Sequence, residues 1–449
     1  MSAVAPATPT RSPGQTANTE LGLLVLAVLI VALAYALVGL AQEPVLPAGL
    51  LGYGGSLAAM AAVAHVFRRR LAPGADPLLL PVAFLLNGIG LVMVRRIDFA
   101  RVAANPDANV LAPQQSIWTF VGIAAFCATL LLIRDHRVLD RYRYVIGIGG
   151  IVALLLPLLP GIGVEVNGAR IWLRLFGFSI QPGEFAKIGL GVFFASYLAD
   201  KHQLLSAATS RLGPFMVPPA RAFGPVLAVW AASLSVLIFQ RDLGLSLLLF
   251  GMFVVLLYVA TGRLSYLLGA SLLFAAGASF AYQLFDHVQR RVSIWLDPFA
   301  DAQDAGFQLV QSLFALGTGG ILGVGWGNGR PDLIPFVQTD FIFAAFGEEL
   351  GLVGTTAILL CYFLVVGRGF SIALRARDDF GTLLAACLTI IFGLQVFVIV
   401  GGVTRLIPLS GITLPFASYG GSSLIANYML IALLLRVSAA PSRPTEARA

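Results

Sequence analysis

A chain of 449 residues that is 58% hydrophobic and 11% charged, with mean hydropathy +0.88 and net charge +7, is not a soluble globular protein, in which about 25% of residues are charged. Its apolar runs are continuous rather than alternating, which excludes a β-barrel and predicts an all-α, polytopic membrane bundle. The 29 Lys and Arg residues are scattered between apolar runs and form no basic face, which points to membrane lipids as partners and away from nucleic acid.

In chain order, residues 1–19 are rich in Ala, Pro and Thr, lack the pattern of a cleavable signal, and are expected to be a disordered cytoplasmic N-terminus. A span needs about 20 apolar residues, because a helix rises ~1.5 Å per residue through a ~30 Å hydrocarbon core. Runs of that kind predict about twelve helices, at 20–41, 49–67, 77–95, 115–134, 144–160, 184–199, 225–240, 243–262, 264–285, 340–367, 379–402 and 421–438. Segment 184–199 is the most polar, since it contains Glu184 and Lys187, and 225–240 meets 243–262 at a charged hinge, 240–244. The three cysteines, Cys127, Cys361 and Cys387, lie inside apolar runs and predict no disulfide. Residues 439–449 form a short C-terminal tail.

The distribution of basic residues sets an orientation. With the N-terminus inside, the inner loops hold the larger share of Arg and Lys, including Arg68, Arg69, Arg70, Arg137, Arg141, Arg375 and Arg377. Both termini are then cytoplasmic, and the segment 286–340 is extracytoplasmic. Acidic residues number only 22 in the chain, yet this segment carries Asp286, Asp297, Asp301, Asp304, Asp332 and Asp340, with the paired Arg290 and Arg291. A carboxylate-rich loop on an apolar scaffold is the natural place for chemistry. Arg170, Arg174, Lys187, Arg241, Arg290, Arg291, Arg330 and Arg405 lie in or near outer loops, against the topological bias. Two roles are open to them: gripping an anion, or reaching lipid phosphates.

Three further stretches stand out. In 167–187, Gly168 and Gly177 permit turns and Pro182 opens the next helix. Glu184 and Lys187 share a face of that helix and can pair; they either brace it or serve a site. Trp172 is either a belt aromatic or one wall of a groove. In 240–244, Asp242 is expected to play a structural part at the outer break. In 404–423, the run Gly420, Gly421, Ser422, Ser423 opens the last helix and offers either an anion site or ordinary capping with close packing.

These residues carry a resemblance. NGARIWLRL with QPGEFAK (167–187), QRDLG (240–244), the run from Asp297-Pro298 through Asp301 to Gly306-Phe307-Gln308 and Gln311-Ser312, TDFIF with GEELG (339–351) and LPFASYGGSS (414–423) are similar, in order, to five signatures of the SEDS family, which includes RodA and FtsW. The match covers about 77–438, so 20–67 is an added helix pair on a ten-helix core. The chain departs from the pattern at Gly183 for Ser, Arg241 for Pro, Asp297 for Asn, Ala302 for Pro and Gln338 for His.

The resemblance implies a peptidoglycan glycosyltransferase of the cytoplasmic membrane. It would polymerise lipid II on the outer face beside a class B penicillin-binding protein transpeptidase, within the elongation or division machinery. The short tail fits the elongation branch, RodA, better than the division branch, FtsW. The family's essential loop aspartate falls on Asp301, with Asp304 as a minor alternative. Arg170, Trp172, Arg174, Glu184, Lys187, Gln308, Ser312, Thr339, Ser418 and Ser422 are then expected to line the substrate site. Chemistry is compatible: one carboxylate suffices as base for single displacement with inversion, unlike the close pair of a retaining glycosidase. A departing lipid pyrophosphate needs positive charge, from Arg, Lys or a divalent cation such as Mg or Mn. A lipid flippase or transporter, or a non-catalytic scaffold, are the competing readings.

Overall fold

The computed structural model describes residues 13–166, 169–175, 177–206, 210–212, 215–217, 231 and 239–440. The protein is a polytopic α-helical bundle. Among the described residues, nine helices are long and apolar enough to cross a membrane. They are α1 (Pro13–Gln42), α2 (Leu50–Leu71), α3 (Leu79–Ala104), α4 (Ala112–Leu132), α8 (Leu243–Thr261), α9 (Leu264–Leu284), α12 (Ile342–Arg375), α13 (Asp379–Val403) and α14 (Gly421–Ser438). The expected span 144–160 is a shorter apolar helix, Arg143–Leu158, of which α6 (Arg143–Leu155) is the α-helical part; the short α5 (Arg137–Arg141) precedes it. The expected span 184–199 is α7 (Gly183–Ser206). Most of 225–240 lies outside the described residues, as do 1–12 and 441–449.

Two expectations need correction. Residues 13–19 are helical rather than disordered, because α1 starts at Pro13, whose fixed φ suits a first turn, and runs on into the span. The segment 286–340 is not simply a loop. It contains the amphipathic α10 (Asp286–Leu296) and α11 (Phe307–Gly319). The segment after α6 also holds structure that the apolar runs do not announce: an antiparallel sheet of β1 (Gly163–Val166), β2 (Ala169–Leu175) and β3 (Phe178–Ile180), in order β1-β2-β3. A second small ladder pairs β4 (Ser210–Leu212) with β5 (Phe215–Val217).

Helices are keyed to one another by buried polar pairs. A charge removed from water is tolerable only when paired. Glu20 of α1 meets His65 at 2.7 Å and Arg68 at 2.9 Å on α2. Arg96 of α3 meets Glu349 of α12 at 2.8 Å. Asn87 of α3 donates to Thr119 of α4 and to Tyr428 of α14. These contacts fix depth and rotation where apolar packing alone would permit sliding.

Helix α12 is broken at Gly351, whose φ of 65° and ψ of −167° interrupt the helical path. Inside a bilayer the freed backbone groups need partners. The segment after α11 supplies them. Val324 and Gly325 donate to the carbonyls of Glu348 and Glu349, while Leu352 and Val353 donate to those of Gly320 and Ile321. A Cβ at position 351 would lie 2.3 Å from the Gly323 nitrogen, so only glycine admits both the break and its plug.

Candidate functional site

Loops 336–341 and 404–423, the turn after β3 and the start of α4 converge at one end of the bundle through a set of backbone ties. Ser418 Oγ donates to the Thr339 carbonyl at 2.5 Å and accepts the Leu414 N–H at 2.9 Å. Tyr419 N–H donates to the Gln338 carbonyl at 2.8 Å. Gln115 of α4 donates to the Ser418 carbonyl and accepts the Gly420 N–H, and Tyr419 donates its hydroxyl to Gln114 at 2.7 Å. Ser422 Oγ accepts the Gln181 N–H at 2.9 Å, joining the residue after β3 to the start of α14. At that start, a Cβ on Gly421 would lie 2.3 Å from the Trp118 ring. Gly420 stands at the N-cap without a side-chain capping bond, and Ser422 is turned to Gln181, so of the readings open to the Gly-Gly-Ser-Ser run the structure shows the close packing and not the capping.

Beneath this rim lies the predicted pair. Lys187 donates to Glu184 at 2.6 Å and to Gln395 of α13 at 2.6 Å, and all three are buried. Gln395 in turn donates to the Thr413 carbonyl. The ammonium is therefore spent on a brace between α7, α13 and the 404–423 loop, the bracing alternative for this pair.

Above it sits a cluster that sequence reasoning did not assemble. Asp242 caps α8 by accepting the Leu245 N–H at 2.9 Å, as its expected structural part requires. Arg291 of α10 donates to the carbonyls of Leu409 and Ser410 at 2.9 and 3.0 Å. A Cβ on Gly411 would lie 3.7 Å from Arg291 Nη2 and 3.8 Å from Asp340 Oδ2, so guanidinium and carboxylate flank that glycine. Burial pushes the Asp340 carboxyl up to about 6, with Arg291 partly offsetting it. Burial also raises Asp242 and lowers Arg291. The buried Ser410 hydroxyl has no hydrogen-bond partner. Among the described residues, the left-handed non-glycine ones, Arg241, Phe336, Arg405 and Phe416, all lie in these same loops. Backbone strain of roughly 1–3 kcal/mol per residue gathers at functional sites.

Asp301 occupies a turn ahead of α11. Its carboxylate is exposed and accepts the Ala305 N–H at 3.2 Å, while its carbonyl accepts the Gly306 N–H. Asp304 is exposed in the same turn. The turn is held from both sides. Arg405 donates to the carbonyls of Trp295 and Leu296 at the end of α10, and Trp295 returns a bond to the Arg405 carbonyl. On α11, Gln308 donates to the Pro335 carbonyl at 2.7 Å and the buried Ser312 faces the Val403 carbonyl at 3.4 Å.

The expected site residues thus fall into groups. Thr339, Ser418 and Ser422 are brought together as loop ties; Glu184 and Lys187 form the brace below; Gln308 and Ser312 seat α11. Arg170 pairs with Glu165 across the β1–β2 ladder at 3.2 Å, and Arg174 is exposed on β2. Trp172 is partly buried opposite Val164. Asn167 and Gly168 of the same motif lie outside the described residues. Among the described residues Asp301 forms no ion pair, and no three His, Cys, Asp or Glu residues converge as metal ligands.

A family profile for FtsW, RodA and SpoVE, described as cell cycle protein, matches residues 77–443. The "Peptidoglycan glycosyltransferase RodA" of Mycobacterium bovis is 49% identical over 447 residues, 99% of this chain and 94% of that protein. The "Probable peptidoglycan glycosyltransferase FtsW" of a Geobacter species (strain M18) is 35% identical, over 82% of this chain and 98% of that one. A solved chain described under "Structural coordination of polymerization and crosslinking by a peptidoglycan synthase complex" superposes with a TM-score of 0.64 at 28% identity, covering 81% of this chain and 97% of the other.

Proposed function

This chain belongs to the FtsW/RodA/SpoVE family, and from that premise we propose that it is a peptidoglycan glycosyltransferase polymerising lipid II into glycan strands during cell-wall elongation. The observation that carries this reading is the arrangement at one end of the bundle. An acidic turn with an exposed, ion-pair-free carboxylate joins α10, which Arg291 and Arg405 tie to the 404–411 loop, to α11, which Gln308 seats on the Pro335 carbonyl.

Asp301 takes the proton of the attacking sugar hydroxyl as that oxygen displaces the lipid pyrophosphate from the anomeric carbon, with inversion. Its single backbone donor leaves acceptor capacity for a hydroxyl. Arg174 and Arg290 are exposed and form no ion pair among the described residues, so they have donors available for the departing pyrophosphate. The Glu184–Lys187–Gln395 brace and the Ser418 and Ser422 ties hold the floor on which the sugars rest. Mg or Mn, in this reading, would arrive on the pyrophosphate oxygens and need no more than one or two carboxylates of the acidic turn, Asp301 and Asp304 being the exposed ones there. The acidic turn faces outward, both termini face the cytoplasm, and a class B penicillin-binding protein cross-links the strand that emerges. A related solved assembly is described as coordinating polymerisation with cross-linking, which supports such a partner.

The test is glycan polymerisation from lipid II by the purified protein, with and without the transpeptidase. Asp301→Asn is expected to lower the rate by about 10²–10⁴ while the thermal midpoint stays put. Asp304→Asn is expected to keep most of the activity. A fully active, folded Asp301→Asn would overturn the assignment.

A further inference from the structure

Away from the acidic turn, a cavity of about 480 Å³ opens between α1, α2 and the ends of α3 and α4. Tyr35, Tyr53, Arg95, Phe99, Val102 and Pro113 are among its walls, and the lining is mainly apolar. Tyr35 and Tyr53 stack at 4.2 Å. The Arg95 guanidinium lies 3.7 Å from the centre of the Tyr35 ring and 5.0 Å from that of Phe99. Aromatic faces attract the cation but leave its N–H groups unanswered. Arg95 Nη1 is buried without a hydrogen-bond partner. The carboxylate at the cavity does not neutralise it. Asp98 accepts the Leu111 N–H at 2.9 Å and the Ala112 N–H at 2.7 Å, and its nearest cation is Arg101 at 3.8 Å.

A guanidinium within a span is costly without an anion or water. An apolar pocket opening between helices, with one unanswered cation in its wall, fits an amphiphile whose head is negative. We infer that this cavity binds an anionic membrane phospholipid, with its phosphate on Arg95 and an acyl chain against Tyr35, Tyr53 and Val102. A zwitterionic headgroup brings its own cation to the same place and so competes poorly. The site lies beside the Gln114 and Gln115 ties to Tyr419 and Gly420, at the same end of the bundle as the acidic turn. It is formed with the helix pair 20–67, which lies outside the 77–443 family match.

The experiment is native mass spectrometry of the full-length protein released from micelles holding equimolar phosphatidylglycerol and phosphatidylcholine. The wild type is expected to retain one phosphatidylglycerol about tenfold over phosphatidylcholine, the factor of one charge-assisted hydrogen bond. Arg95→Gln is expected to bring the ratio to about one, and Arg95→Lys to an intermediate value. Val102→Trp fills the cavity with Arg95 intact and should lose the bound lipid, which guards against misfolding of the Arg95 variants. Equal retention of both lipids by the wild type, an unchanged ratio in Arg95→Gln, or full retention by Val102→Trp would each overturn the inference. So would displacement of phosphatidylglycerol by equimolar undecaprenyl pyrophosphate, which would make the cavity a substrate-chain site.

Discussion

Asp301 and Asp340 are carboxylates of one segment, 286–340, with different surroundings. The first is exposed with a single backbone donor, whereas the second is partly buried beside Arg291. For Asp340 the burial has a thermodynamic sign. Its pKa rises from 3.8 to about 6 on folding, burial being the main cause. Between those values the unfolded chain has released its proton and the folded protein still holds it, so stability falls as pH rises from about 4 to about 6. The loss is at most on the order of 3 kcal/mol. The wild-type thermal midpoint is expected to drop across that window more than that of Asp340→Asn, and parallel curves would contradict the account. Both carboxylates are visible in the sequence as rare acids in an apolar chain. Their difference is not, because it depends on residues 242, 291, 340 and 411 meeting in space, and nothing in the local pattern records that meeting.

At the scale of elements, the apolar runs announced the spans well, because length and hydropathy decide what can cross a bilayer. The sheet β1–β3 and the helices α10 and α11 went unannounced. They are short and rich in polar residues, so a reading built on long apolar runs passes over them, although the amphipathic α10 carries a helical period that could have announced it. The three-residue spacing of Glu184 and Lys187 did reveal a shared face; only the structure adds Gln395 from α13 as the third member. That partner decides the energetics. Lys187→Met leaves a carboxylate enclosed without its cation, at a cost of about 3–5 kcal/mol. The thermal midpoint in detergent should fall sharply, and the double variant Glu184→Gln, Lys187→Met should recover much of the loss. A single variant with unchanged stability and no polymerisation would instead make Lys187 a substrate contact.

For the whole molecule, orientation is the commitment on which the proposed chemistry depends, since in that proposal lipid II reaches the acidic turn from outside. A cysteine placed at Asp304 should react with an impermeant thiol reagent on intact cells, whereas one at Arg377 should react only after permeabilisation; the reverse pattern would sink the outer-face assignment. The plugged break in α12 carries a different consequence. The segment 317–329 has seven glycines and by composition belongs among the most labile parts of a chain. Four amides, those of Val324, Gly325, Leu352 and Val353, nonetheless stitch it across Gly351. They should therefore trade their hydrogens for deuterium on the timescale of a membrane core rather than of a surface turn. A detergent that loosens α12 should release all four together, as one cooperative unit.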